Sequence, residues 1–287
     1  MNKCICLLVF AILTRGSVSA QEVDTAIAIV RYSYSYVMDT TQPDNPYKDD
    51  MALLIGKKLS NYTSYNAMLR MKKAMDNASK GIGEKWATEG GPAMGGRGDR
   101  AGTMAGASLT AKLFVTGSYY KYQPTSTMAY MAFAVNELFS VEEKIPAIDW
   151  KIGNETKEIH GLPCQKATGD YRGRNYEAWF CSQLAYNNGP WKLGGLPGLI
   201  LEAYDTKKEV VFTFESFESN NEKIPIAIPT FAIKTTPGKY KQYEQALQNN
   251  SAGVLPPGII RSDTFHNGDG KTVKNRARNN PVEKEQN

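Results

Sequence analysis

Cysteine, histidine and excess charge of either sign are scarce in this 287-residue chain. It has four cysteines and two histidines, and 34 Lys and Arg against 29 Asp and Glu leave a formal charge of only +5. Each shortage excludes something. Nucleic-acid binding normally demands a basic face. The one basic cluster here, Lys271, Lys274, Arg276 and Arg278, lies in a polar stretch that reads as a solvated, disordered tail over 266–287. There is no GxSxG elbow and no HExxH, so two common hydrolase signatures are missing. Without a CxxC pair, and with so few histidines, no metal site or other cofactor is expected. Long apolar runs are lacking too. The run over 5–13 falls short of the roughly 20 residues that span a bilayer, so no transmembrane segment is expected.

That short run carries its own message. With Lys3 before it and Val18-Ser19-Ala20 after it, residues 1–20 have the layout of a secretory signal cut before Gln21. The expectation is a periplasmic or secreted chain of 267 residues. Cys4 and Cys6 leave with the signal, and neither stands at a lipid-acceptor position. The chain as a whole is 41% hydrophobic and 22% charged, which suits a soluble globular domain.

Periodicity then sets the fold class. Residues 27–38 alternate so that Val30, Tyr32, Tyr34, Tyr36 and Met38 share one face of a strand. Residues 41–50, with Pro43 and Pro46, read as a turn region, and 52–55 and 59–65 as a hairpin around Gly56-Lys57-Lys58. Met68, Met71 and Met75 recur at helical spacing, which predicts a short amphipathic helix over 67–78. Residues 81–106, rich in glycine and poor in large apolar side chains, read as a flexible insertion.

Strand-like runs resume at 109–115, 118–122, 127–135, 138–143, 147–152, 157–168, 175–182, 199–204 and 210–217, and a last helix is expected over 239–248. No fixed-period repeat and no cut into two domains is apparent. The reading is a single mainly β domain over 21–265, an antiparallel sheet with one or two short α-helices.

Cys164 and Cys181 flank Arg172-Gly173 symmetrically. A two-residue turn there pairs Tyr171 with Arg174 and, counting outward, Cys164 with Cys181 at a non-hydrogen-bonded position where Cα atoms lie about 4.5 Å apart. In an oxidising compartment this pair is expected to form a disulfide.

Around and beyond this hairpin the residues become recognisable. Asp149-Trp150-Lys151-Ile152, Gly161, Cys164-Gln165-Lys166-Ala167-Thr168, Gly173-Arg174, Ala178-Trp179-Phe180 and the run from Gly189-Pro190-Trp191-Lys192 to Leu199-Ile200 resemble the GLPGLI family of Bacteroidota, named for the hexapeptide present here as Gly195 to Ile200. The resemblance is dense over 149–205 and weaker elsewhere. It implies an exported protein of no established activity, working beside an outer-membrane TonB-dependent receptor or on a small or peptide ligand. It also implies a curved antiparallel half-barrel similar to lipoprotein carriers. Two departures stand out: Leu162-Pro163 where an aromatic residue is common, and the long 81–106 stretch.

Candidate ligand-binding residues gather here: Lys166, Arg174, Trp179, Trp191, Gly195, Leu196, Pro197 and Gly198. Gly194-Gly195 permits a tight reversal, Pro197 fixes φ, and Gly198 permits close backbone approach. Two readings stay open, a rigid turn clamping two strands or a lid touching a ligand. Both tryptophans fit core packing as well as ligand contact, and a cation on Trp179 fits a structural role equally.

The function expected is a non-enzymatic envelope protein that binds a ligand or supports cargo or a receptor. A copper-handling reading rests on Met68, Met71, Met75, Met94 and Met104, against the ordinary use of methionine as core filler. A hydrolase reading rests on His160, since His266 borders the tail. Three short patterns add compartment or adhesion hints without a function: Arg97-Gly98-Asp99, the glycosylation-like Asp24-Thr25-Ala26 and Asp39-Thr40-Thr41, and the sequon Asn61-Tyr62-Thr63.

Overall fold

Strict alternation builds the middle of the sheet. In the strand Ala28–Tyr36 the residues Ala28, Val30 and Tyr32 are buried, and the tyrosine stripe faces inward as its period of two requires. The protein is described by a computed structural model that covers residues 23–79, 117–134, 137–249, 265–266, 272–273 and 279–284. The expected insertion over 81–106 and the run over 109–115 lie outside these residues.

Strands are numbered in chain order: β1 (Val23–Thr25), β2 (Ala28–Tyr36), β3 (Tyr47–Ile55), β4 (Leu59–Ser64), β5 (Tyr119–Tyr122), β6 (Thr127–Ala134), β7 (Glu137–Lys144) and β8 (Lys151–Ile159). Then follow β9 (Leu162–Tyr171), β10 (Arg174–Cys181), β11 (Leu199–Asp205), β12 (Val210–Ser219), β13 (Pro225–Ala227) and β14 (Ile233–Thr235). The helices α1 (Tyr65–Ser79) and α2 (Pro237–Asn249) cover the two predicted helical stretches.

Twelve strands form one open sheet in the order β14-β7-β6-β5-β4-β3-β2-β12-β11-β10-β9-β8, antiparallel throughout except for β14 on β7. β1 and β13 pair separately. The fold is mainly β, as expected. The sheet is also strongly curled. β7 stands eight strands from β10, about 38 Å away in a flat sheet at about 4.8 Å per strand. Yet Arg172, in the β9–β10 turn, reaches Glu143 of β7 at 3.5 Å. Side chains, not a ladder, bridge the gap.

Each face of the sheet has its own core. β3 shows this best: Met51, Leu53 and Ile55 point inward to a cluster with Tyr32, Tyr62, Tyr176 and Phe212, while Ala52 and Leu54 point outward to Leu59, Met131 and Leu138. The outer face is covered by α1 through Met68 and by the segment carrying Ile224 and Ile226.

Several boundaries differ from the sequence reading. Tyr47–Asp50 belongs to a strand, pairing Tyr36 with Tyr47, because Tyr47 and Asp49 continue the inward alternation past the prolines. The expected strands 147–152 and 157–168 are redrawn as β8 and β9 around His160-Gly161. Positive φ at both residues (48° and 80°) makes the tight turn that suits a right-twisted hairpin. Within the stretch read as a disordered tail, residues 279–284 are docked on the sheet.

The disulfide expectation is corrected. The predicted hairpin forms, with Tyr171 opposite Arg174 and positive φ at Arg172 and Gly173. Cys164 and Cys181, however, are free buried thiols. The β9–β10 ladder ends one pair short of them, at Phe180 and Gln165, and on its other side Cys181 pairs with Leu199 of β11, next to a bulge in which β11 carries the extra residue Leu201 opposite Trp179/Phe180. The Cys164 thiol donates to the Leu162 carbonyl at 3.3 Å.

Candidate functional site

The connection from β10 to β11, residues 182–198, crosses the inner face of the curled sheet as a strap. It starts and ends stitched to itself: Leu199 N–H donates to the Leu184 carbonyl and Ile200 N–H to the Asn188 carbonyl, both at 3.0 Å. Its far side reaches strands on the opposite wall. Asn188 donates from Nδ2 to Ser60 Oγ of β4 at 2.9 Å. Lys121 of β5 donates to Asn188 Oδ1, the Gly189 carbonyl and the Leu193 carbonyl at 3.0, 3.1 and 2.6 Å. Lys192 pairs with Glu143 of β7 at 2.5 Å and with Glu283 at 2.5 Å. Trp150 anchors the tip by donating from Nε1 to the Gly194 carbonyl at 2.8 Å.

The strap's apolar side chains fill the space below it. Trp191, Leu193 and Leu196 are 5%, 0% and 1% exposed. Trp191 meets Tyr171, Tyr176 and Phe212 at ring distances of 5.6, 6.5 and 6.3 Å. It does so at φ 52°, a left-handed conformation that a bulky residue keeps only where its packing over-determines it. Gly198 is required by contact: a Cβ there would lie 2.3 Å from the Cys181 carbonyl oxygen, at φ +151°. Gly195 and Pro197 are exposed at the tip, where Gly195 N–H donates to Asn187 Oδ1 at 2.8 Å.

Electrostatics separate the two strap lysines. Lys121 faces only neutral oxygens, and burial lowers its pKa to about 7. Burial works against the Lys192 charge as well, but Glu283 and Glu143 outweigh it and hold its pKa above the ordinary value. A neutral cage and an ionic clip thus fix the same segment from two sides.

Arg174 lies at the end of the inner face with its side chain 1% exposed. Nη1 donates to Asp205 Oδ2 at 2.5 Å and Glu209 Oε2 at 2.8 Å. Nη2 donates to Asn280 Oδ1 at 2.7 Å and the Pro281 carbonyl at 2.8 Å, and Nε to the Val282 carbonyl at 2.9 Å. All five N–H groups are engaged.

Lys166 and Trp179 lie on the other side of the sheet. Lys157 and Lys166 stand 4.5 and 5.9 Å from the Trp179 ring. Lys166 pairs with Glu177 at 2.9 Å and Glu155 at 3.2 Å, and Lys157 with Glu202. Tyr204 hydroxyl and Trp179 Nε1 also donate to Glu177. Burial opposes the Glu177 charge, but Lys166 and Tyr204 outweigh it and lower its pKa. The sequence candidates are therefore split: Trp191, Leu196 and Arg174 inside, Trp179 and Lys166 outside, with the sheet between them. Sequence reading missed Lys121 and Lys192, which nothing but burial distinguishes from surface lysines.

The residues behind the other readings are dispersed. His160 is exposed in its turn with its ring 5.3 Å from Phe214. Met68 is packed in the outer core, while Met94 and Met104 lie outside the described residues. Among the described residues no group of three or more His, Cys, Asp or Glu could hold a metal ion, and no helix is long and apolar enough to cross a membrane.

Comparison with known proteins adds little beyond this region. No curated protein matches the chain. Two solved structures of PNGF-II are similar. The P21 crystal form is 14% identical with a TM-score of 0.47 over 78% of this chain and 33% of that one. The C2 form is 13% identical with a TM-score of 0.45 over 75% and 32%. This chain thus spans about a third of those chains. A family model described as a protein of unknown function (Porph_ging) matches residues 171–202, which run from the β9–β10 turn through the whole strap into β11.

Proposed function

We propose that this is a GLPGLI-type exported protein of the bacterial envelope, without catalytic activity. It supports cargo or a TonB-dependent outer-membrane receptor through its outer surfaces and carries no lipid or small molecule inside its sheet. The observation behind this reading is the burial of Trp191, Leu193 and Leu196 on the inner face. A carrier leaves that face open for its cargo, and an enzyme leaves converging polar groups within reach of a substrate. Here the chain's own strap takes the place of both, held by Lys121, Lys192 and Trp150.

The family reading draws on the match over 171–202, which contains the hexapeptide, and on the structural work that hexapeptide does. Native mass spectrometry of the protein isolated from its own compartment tests the proposal. The expected mass is that of a chain beginning at Gln21 with nothing bound, and an apolar reporter dye shows no enhancement. A stoichiometric lipid or other small molecule released on unfolding refutes it.

A further inference from the structure

We propose that the groove around Arg174 is a peptide-recognition site, which residues 279–284 occupy in cis and which takes an Asn-Pro-aliphatic-Glu segment from another chain in the same way. Part of the groove belongs to the sheet itself. Two of the Arg174 donor bonds go to Asp205 and Glu209, both contributed by the β11–β12 hairpin, and they fix the guanidinium. The other three point at the segment: to the Asn280 side chain and to the Pro281 and Val282 carbonyls.

The bound segment is read residue by residue. Asn280 uses both ends of its amide, accepting from Arg174 and donating from Nδ2 to the Val37 carbonyl at 2.7 Å, while its own N–H reaches the Met38 carbonyl at 3.2 Å. An aspartate there lacks the second donor. Pro281 brings no N–H that would need a partner, and Val282 packs against the inner core. Glu283 meets Lys192 at 2.5 Å and Arg172 at 3.6 Å. Lys284 donates from its backbone to the Arg172 carbonyl at 2.9 Å. Gly173 makes room for it, since a Cβ at that position would lie 2.9 Å from Lys284 Cβ. Main-chain hydrogen bonds for affinity are thus combined with side-chain selection along the segment.

The site stands on these contacts alone and holds whether or not the protein serves a receptor.

The test uses full-length protein and a dye-labelled peptide, Asn-Asn-Pro-Val-Glu-Lys, followed by fluorescence polarisation. In the variant carrying Asn280→Ala and Glu283→Ala the chain's own segment is weakened. The labelled peptide is then expected to saturate it at least tenfold more tightly than the unaltered protein. A control peptide with Asp for the second Asn and Lys for Glu is expected not to bind. Absence of saturable binding to a variant that still melts cooperatively overturns the proposal. Hydrogen exchange on the unaltered protein tests the same point without a variant. The Asn280 and Lys284 amides are expected to exchange well before those of β10, and exchange only on global unfolding overturns the proposal.

Discussion

Lys121 Nζ donates to the Leu193 carbonyl at 2.6 Å with no carboxylate beside it, so a positive charge on one wall of the sheet is held by neutral oxygens of the strap. Its pKa, lowered by burial to about 7, couples this contact to pH. Between about pH 7 and the ordinary lysine value of about 10.4 the unfolded chain binds the proton and the folded one does not, so stability rises with pH there. Above about pH 10 the effect reverses, because burial raises the pKa of Tyr62 and Tyr119 and the folded state retains protons that the unfolded state loses. Chemical denaturation from about pH 6.5 to 9.5 is expected to show rising stability. Lys121→Met is expected to flatten that rise and, by leaving strap oxygens unpaired, to cost about 2–4 kcal/mol at neutral pH. A variant with an unchanged pH slope contradicts the assignment.

The two glycines with positive φ at opposite ends of the hairpin region separate conformational strain from collision. Gly161 (φ +80°) has nothing within 4 Å of the position a methyl group would take, so Gly161→Ala is expected to cost about 1–2 kcal/mol from backbone strain alone. Gly198→Ala meets the Cys181 carbonyl oxygen at 2.3 Å and must move backbone. Its expected cost exceeds about 4 kcal/mol, at the exceptional end for a single substitution. Urea midpoints of the two variants give the comparison, and equal losses refute the contact argument.

How much of this is legible in the sequence follows the range of each interaction. Strand alternation and the Arg172-Gly173 turn are local, and β2, β10 and the Tyr171–Arg174 pairing stand where the residue pattern puts them. The β8–β9 turn is displaced from its expected place because His160 gives no sign of its positive φ. The curl of the sheet, which brings Glu143 to Arg172, joins strands eight places apart and leaves no pattern in the sequence. The same applies to Lys121 and Lys192, and to the docking of Asn280 in a stretch whose composition is that of a tail. Trp179 and Trp191 look alike in sequence as a pair flanking one motif. Only strand parity, which puts Trp179 on the outer face with Glu177 and Tyr204, tells them apart.

That distinction predicts different consequences for the two tryptophans. Trp191→Ala removes a ring packed on Tyr171, Tyr176 and Phe212 and opens the inner face, with an expected loss of about 3–5 kcal/mol and a gain in apolar-dye binding. Trp179→Ala removes a ring capped by Lys157 and Lys166 on the outer face. It is expected to lose stability without increasing dye binding. Thermal melts with a dye titration distinguish them, and dye uptake by the Trp179 variant alone reverses the assignment of faces.

The thiols of Cys164 and Cys181 complete the set. Burial, and then the neighbouring Cys181, push the Cys164 thiol up to about 12, while its hydrogen is held by the Leu162 carbonyl. Only the thiolate attacks an alkylating reagent, so at about pH 8 the reactive fraction of Cys164 is about one in ten thousand, against roughly one in four for an ordinary cysteine of pKa about 8.5. Iodoacetamide followed by peptide mass spectrometry is expected to leave Cys164 unmodified in the folded protein over hours. The same residue is expected to be alkylated within minutes once urea and reductant expose it. Raising the pH to about 9.5 multiplies the thiolate fraction about thirtyfold but leaves the thiol buried, so labelling is expected to follow unfolding rather than pH. Labelling of the folded chain that tracks pH instead places the sulfur at the surface and contradicts the burial of Cys164 on β9.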